Sequence, residues 1–245
     1  MRKIVTLVVA VVGMAVLLSP LTATADLTGP YGIMAPTGTN PSTGEEWKVG
    51  DTYHLHFMTD DQIQATSSDI STYNSFVNAQ ADLSSLTGVS DVTWYCAGST
   101  SSTDARDNAV ISSPLYRLDD TLLADGATGT YGFYGTDTGG RSDLHASPDI
   151  DQHGNEGYWR FWTGSNPDGT GATSRQLGAN NVRYGSIENT SSQWLDDYNY
   201  ESNTAERSLH AISEELTVVP EPASALLLVA ALGGIGFLRR KFVNR

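Results

Sequence analysis

The chain has 245 residues, a formal net charge of −14 and 39% hydrophobic residues. Residues 1–25 and 223–245 contain no acid but six bases, which leaves 8 bases against 28 acids between them, a charge of about −20, with Lys48 as the one lysine there. A surface so acidic repels phosphate and sulfate, so charge-driven binding of nucleic acid or anionic polysaccharide is excluded; the single cysteine, Cys96, likewise excludes an internal disulfide framework, a four-thiolate zinc site and a CxxC redox pair.

In chain order, Met1-Arg2-Lys3 gives a positive start, Ile4 to Leu18 an apolar run, and Ser19-Pro20 a break before Ala23-Thr24-Ala25. That is the order of a secretory signal with a small-x-small site, so signal peptidase is expected to cut after Ala25. A retained N-terminal membrane helix is the alternative, although the run is shorter than the ~20 residues that span a bilayer. Residues 26–46, rich in Gly, Pro, Thr and Asn, read as an extended lead-in, with order starting near Trp47.

Tyr53 to Met58 alternates as a half-buried strand does, with Tyr53, Leu55 and Phe57 on one face. His54 and His56 fall on the other face; with no third ligand at a telling spacing, they read as solvated histidines rather than metal ligands. Thr66-Ser67-Ser68-Asp69 is a helix-capping pattern, and Ile70, Tyr73, Phe76, Val77, Ala81 and Leu83 then recur at helical spacing until Gly88. Val92 to Ala97, Leu115 to Leu118, Tyr158 to Trp162, Val182 to Tyr184 and Leu209 to Ile212 are short strand candidates between polar, glycine-rich loops. One main helix among short antiparallel strands predicts a single α+β domain over residues 47–219.

Beyond it stand Pro220-Glu221-Pro222, an uncharged stretch from Ala223 to Leu238, and the basic cluster Arg239-Arg240-Lys241. Sixteen helical residues span roughly 24 Å, enough to cross a membrane if the basic side chains snorkel. The cluster then stays cytoplasmic and the domain lies across the membrane. Read from the residues alone, the segment is a membrane anchor. The stretch VPEPASALLLVAALGGIGFLRRK also resembles the PEP-CTERM sorting signal of Gram-negative-type bacteria. This resemblance implies that an exosortase, a membrane cysteine protease, recognises Pro220-Glu221-Pro222, removes the tail and passes the protein to the cell surface or exopolysaccharide matrix. The sorting tail over residues 220–245, with its membrane helix, would then serve only an inner-membrane intermediate.

The middle of the chain carries a second resemblance. The order LHFMTDD, a helix from Ser68 to Leu86, VTWYCAGST, LYRLDDTLLADG, FWTGSNPDGTG, Trp194 and LHAISEEL is similar to the endostatin-like branch of the C-type-lectin-like fold. It implies a closing strand paired with the first strand, and a WxGxxPxG loop at Trp162, Gly164, Pro167 and Gly169. The disulfides usual in that fold and the arginines with which endostatin binds heparin are missing here, so heparin binding does not follow.

Calcium-binding C-type lectins hold their ion with a similar pair of segments, which makes Asn166, Asp168, Asp196 and Asp197 the candidate calcium ligands. Calcium takes 6–8 oxygen ligands, and these four side chains could supply several. Against that reading, Asn166-Pro167-Asp168-Gly169 is also a β-turn sequence that needs no metal. Asp149-x-Asp151-x-His153 opens like an EF-hand loop, but Arg160 stands where the bidentate glutamate belongs, so a polar surface loop is expected. Asp104-Ala105-Arg106-Asp107-Asn108 reads as a local salt-bridge knot, and Cys96 as a packed small side chain. No GxSxG, HExxH or P-loop occurs, and no catalytic residue is assigned. The expectation is a non-enzymatic surface or matrix protein that binds a glycan or a neighbouring protein. A polysaccharide hydrolase and an acidic scaffold without a specific ligand are the alternatives.

Overall fold

The computed structural model describes residues 27–135, 143–157, 160–187, 190–191 and 194–221. The alternating segment forms β2 (Thr52–Met58), the centre of the main sheet. Strands β4 (Trp94–Cys96), β11 (His210–Ser213), β2, β5 (Leu115–Arg117) and β6 (Leu122–Ala124) follow in that spatial order, and β12 (Leu216–Thr217) also pairs with β2. β5 runs parallel to β2, and the other pairings among these strands are antiparallel. The expected pairing of the Tyr53–Met58 strand with the Leu209–Ile212 strand is present, with Ala211 opposite Phe57 on one side and Cys96 on the other.

On one face of the sheet lies α1 (Ile70–Ala81), capped by Asp69, whose carboxylate accepts the Ser71 N–H at 2.9 Å. Tyr73, Val77 and Ala81 from its inner stripe pack with Tyr53, Leu55, Phe57, Trp94 and Ala211. The helix is shorter than its apolar spacing suggested. After Ala81 the chain turns, leaving Leu83 59% exposed, and Gly88 adopts φ +77°, where an added Cβ would lie 2.7 Å from the Ile33 backbone nitrogen.

The opposite face is also closed, which corrects the reading of the histidines. His54 is 2% exposed and His56 fully buried. Strand alternation separates two faces but does not say that one of them is wet; here Phe133, Phe161, Trp194, Leu195 and Ile212 form a second apolar cluster over it. The lead-in is likewise part of the fold. One compact unit spans Leu27–Glu221, with Ile33, Ala35 and Trp47 buried in the helix-side core.

A smaller antiparallel sheet combines β7 (Arg160–Trp162), β8 (Asn181–Ser186) and β9 (Tyr200–Ser202), and β3 (Ile63–Gln64) pairs with β10 (Glu206–Arg207). The unit ends in a two-stranded ladder of β1 (Leu27–Thr28) with β13 (Val219–Pro220). The architecture is α+β with strands predominating. No helix among the described residues is long and apolar enough to cross a membrane. Ala23, Ala25, Pro222, Arg239, Arg240, Lys241 and both terminal apolar stretches lie outside the described residues.

Candidate binding cleft

The WxGxxPxG loop is built for close approach. Gly164, at φ +61°, leaves no room for a Cβ, which would meet the Leu177 nitrogen and the Ser99 carbonyl oxygen at 2.6 Å. This approach lets Ser99 donate its N–H to the Thr163 carbonyl at 2.7 Å, while its buried Oγ lies 2.7 Å from Ser165 Oγ and accepts the Ala105 N–H at 2.8 Å. The short helix α2 (Ala105–Asn108) is thereby fixed against the loop. Asp104 Oδ1 accepts the Gly171 N–H at 2.7 Å, and Arg106 donates its N–H to the Gly169 carbonyl.

Asn166-Pro167-Asp168-Gly169 forms the turn that its residue types favour: Gly169 N–H reaches the Asn166 carbonyl at 3.0 Å, with Gly169 at φ +78°. Asp168 Oδ1 accepts from both Thr170 N–H at 3.0 Å and Thr170 Oγ1 at 2.6 Å. Between this turn and α2 lies a half-open cleft of about 420 Å³. Its walls carry Arg106, Asp107 and Asp168 as charged groups and Val110, Ile111 and Tyr134 as apolar surface. Tyr134, 2% exposed, donates its hydroxyl hydrogen toward the Ala105 and Ala109 carbonyls, 3.2 and 3.0 Å away, so its hydroxyl is used inside the fold and its ring forms part of the cleft floor. Val110 is 59% exposed, an apolar side chain at the rim.

The four candidate calcium ligands do not share one cradle. Arg183 Nη1 stands between Asn166 Oδ1, 3.1 Å away, and Asp196 Oδ2, 2.7 Å away, supplying the positive charge there itself. The other Asp196 oxygen accepts the Tyr198 N–H at 2.8 Å. Burial raises the Asp196 pKa from its ordinary value, and Arg183 works against that rise. Asp197 turns its carboxylate toward Asn199, and Asp168 is used by its own turn. Among the described residues, no group of three or more His, Cys, Asp or Glu side chains could hold a metal ion. The set therefore fits calcium poorly as it stands, since an ion at Asn166 and Asp196 would have to displace Arg183.

The EF-hand-like stretch is structural, and more buried than a surface loop. Asp151, 4% exposed, accepts the N–H groups of His153 and Asn155 at 2.8 and 2.9 Å, while Asp149 pairs with Arg117 at 2.5 Å. Cys96 is a packed thiol, fully buried, with its pKa raised by that burial.

Three parts of this region escaped the sequence reading. Arg183 lies within a strand candidate, and the scarcity of bases in so acidic a chain is the one sequence signal that points to it. Tyr134 and Val110 follow no local pattern and join the cleft only through long-range packing. The third is a buried pair, His56 Nε2 and His210 Nδ1, 2.7 Å apart. Burial lowers both pKa values, that of His56 to about 3.

With this geometry in hand, comparison with known families adds one match, at residues 218–241, to the PEP-CTERM protein-sorting motif. The chain carries an exosortase sorting signal. It is therefore exported and sorted to the cell surface through exosortase, its processing partner. None of the curated proteins matches the chain.

Proposed function

We propose that the domain ahead of the sorting motif is a non-enzymatic binding module that takes a neutral glycan of the extracellular matrix in the cleft between α2 and the Asn166–Gly169 turn. The observation that carries this reading is the pairing of an apolar wall (Val110, Ile111, Tyr134) with charged groups (Arg106, Asp107, Asp168) in one half-open cleft. Sugars present hydroxyl groups to carboxylates and guanidinium groups and C–H faces to apolar and aromatic surface. The strongly acidic chain argues against sulfated or uronate-rich polymers. A C-type-lectin-like frame of the endostatin-like branch is part of the proposal, supported by the pairing of β2 with β11, the helix on one face and the WxGxxPxG loop. So are the Gram-negative-type host and the matrix as destination.

The mature secreted protein should bind neutral polysaccharide from the producing cell's matrix and not heparin. Val110→Asp together with Asp107→Ala should weaken binding at least tenfold with little change in melting temperature. Binding that is indifferent to both changes would remove the cleft from the account. Because Asp107 and Asp168 line the same cleft, a glycoside hydrolase is the second reading. Release of reducing ends, abolished by Asp107→Asn, would favour it over the binding module. A protein that neither binds nor cleaves would be the acidic scaffold.

A further inference from the structure

The sorting motif does not begin beyond the fold. Its matched region starts at residue 218, and Val218 is fully buried, donating its N–H to the Asp51 carbonyl at 2.9 Å and accepting the Gly50 N–H at 3.0 Å. The next two residues form β13, where Val219 lies opposite Thr28 and Pro220 opposite Leu27. Thr28 is itself anchored, donating its hydroxyl hydrogen to the Ile33 carbonyl at 2.9 Å, and Ile33 belongs to the helix-side core. The first proline of the recognition sequence is thus a rung of the domain's terminal ladder.

An enzyme that reads a short linear sequence needs that backbone released from other pairings, because it must offer its own groups to the same edge. We propose that β1 masks the sorting motif, so that exosortase engages Pro220-Glu221 only when the β1–β13 ladder opens. This rests on the sorting reading of the tail and goes beyond it by assigning the folded domain a part in its own processing. A two-residue ladder at the end of a domain belongs to the low-stability end of local opening, well below global unfolding. Processing therefore samples an open minority state without unfolding the core. Buried Val218 sets the limit of that opening, since releasing it would expose core.

The test replaces Thr28 and Val219 with cysteine in the full chain, T28C/V219C, expressed in a host that has the exosortase. The two positions are directly opposed in register, and the one native thiol, Cys96, is buried. Conversion of precursor to mature protein is followed by pulse-chase, with loss of a tag placed after Arg245 as the readout. The cross-linked form should convert at least tenfold more slowly than Val219→Cys alone, and a reductant that opens the bond should restore the rate. Thr28→Cys alone should convert at the wild-type rate, and Val219→Cys alone, which changes a residue inside the matched region, sets the reference rate for the cross-linked form, which separates masking from damage to the motif. Equal conversion of cross-linked and reduced protein would overturn the mask. Failure of the pair to oxidise when both single variants fold would overturn it too, by contradicting the ladder. No conversion of the wild-type chain at all would instead remove the sorting reading on which the mask depends.

Discussion

The two faces of the main sheet are closed by different means. On the helix side, Tyr53, Leu55 and Phe57 from β2 meet Tyr73, Val77 and Ala81 from α1, and almost everything in the interface is apolar. On the other side, the same strand presents His54 and His56, and its cover is drawn from irregular segments that carry Phe133, Leu144, Trp194 and Leu195. A helix brings its own backbone hydrogen bonds with it, whereas a loop cover must satisfy its polar groups by side chains. That need explains the polar pins on the second side. Arg183 holds Asp196 beside Trp194 and Leu195, and Arg117 joins Asp119 and Asp149.

The same strand yields the largest test of this contrast. Leu55 is fully buried in the helix-side core, so Leu55→Asp places an unpaired charge there and should cost about 4 kcal/mol or more. Thermal or urea unfolding of the secreted domain would measure it. A shift under about 1 kcal/mol would mean that the helix-side face is not the main core.

Breaking one of the polar pins comes next. Arg183→Gln leaves Asp196, whose side chain is 1% exposed, without its counter-ion. Loss of one partner of a buried pair costs about 3–5 kcal/mol; because the Arg183 side chain is 22% exposed, solvent screening brings the expected loss down to about 2 kcal/mol. The loss should be greatest at neutral pH and shrink in acid as Asp196 takes up a proton. Denaturant titrations at pH 7 and pH 4.5 would show the difference.

The histidines give the second face a pH signature that the first lacks. Burial lowers the pKa of His54, His56 and His210, with Arg117 adding to the effect at His56. The unfolded chain therefore takes up these protons first as pH falls. Stability from this source is full above about pH 6.5 and declines below it, with a slope of about 1.4 kcal/mol per pH unit for each histidine that titrates only when unfolded. For His56 the decline continues toward its folded value of about 3. Two ring nitrogens of the pair, His56 Nδ1 and His210 Nε2, have no hydrogen-bond partner. Replacing both residues by leucine should accordingly change stability by under about 1 kcal/mol at pH 7, since both partners leave together. It should also flatten the slope between pH 6.5 and 5. An unchanged slope would show that other groups carry the acid sensitivity.

How much of this was legible in sequence divides along the same line. The apolar alternation of Tyr53, Leu55 and Phe57 and the helical spacing of Tyr73, Val77 and Ala81 are local patterns, and both map onto the helix-side core. All six strand candidates contain strands, and the pairing of β11 with β2 was anticipated. The second face depends on which loops fold back over it, and Phe133, Leu144 and Trp194 sit in segments without periodicity. Alternation alone therefore places His54 and His56 in solvent, where the structure buries them. In the candidate site, the Asn166–Gly169 turn was readable from residue preferences. Arg183 as partner to Asp196 was not, because thirteen positions separate them and no local pattern links them.

The smallest expected effect concerns the cation that the Asn166, Asp168, Asp196 and Asp197 pattern suggested. If Arg183 already supplies the positive charge among these residues, added calcium has no vacant seat and acts only on the net charge of the chain. Screening of that charge depends on ionic strength and valence rather than on ion size or coordination number. Calcium and magnesium at matched ionic strength should then raise the melting temperature by the same small amount, and Asp168→Ala should leave that increment unchanged. A specific site behaves differently, since calcium at 100 times its dissociation constant adds about 2.7 kcal/mol by linkage, and magnesium, which demands a tighter octahedral shell, does not reproduce it. A calcium-selective rise lost in Asp168→Ala would show that the guanidinium moves aside, and that the polar pin on the loop-covered face is an exchangeable one.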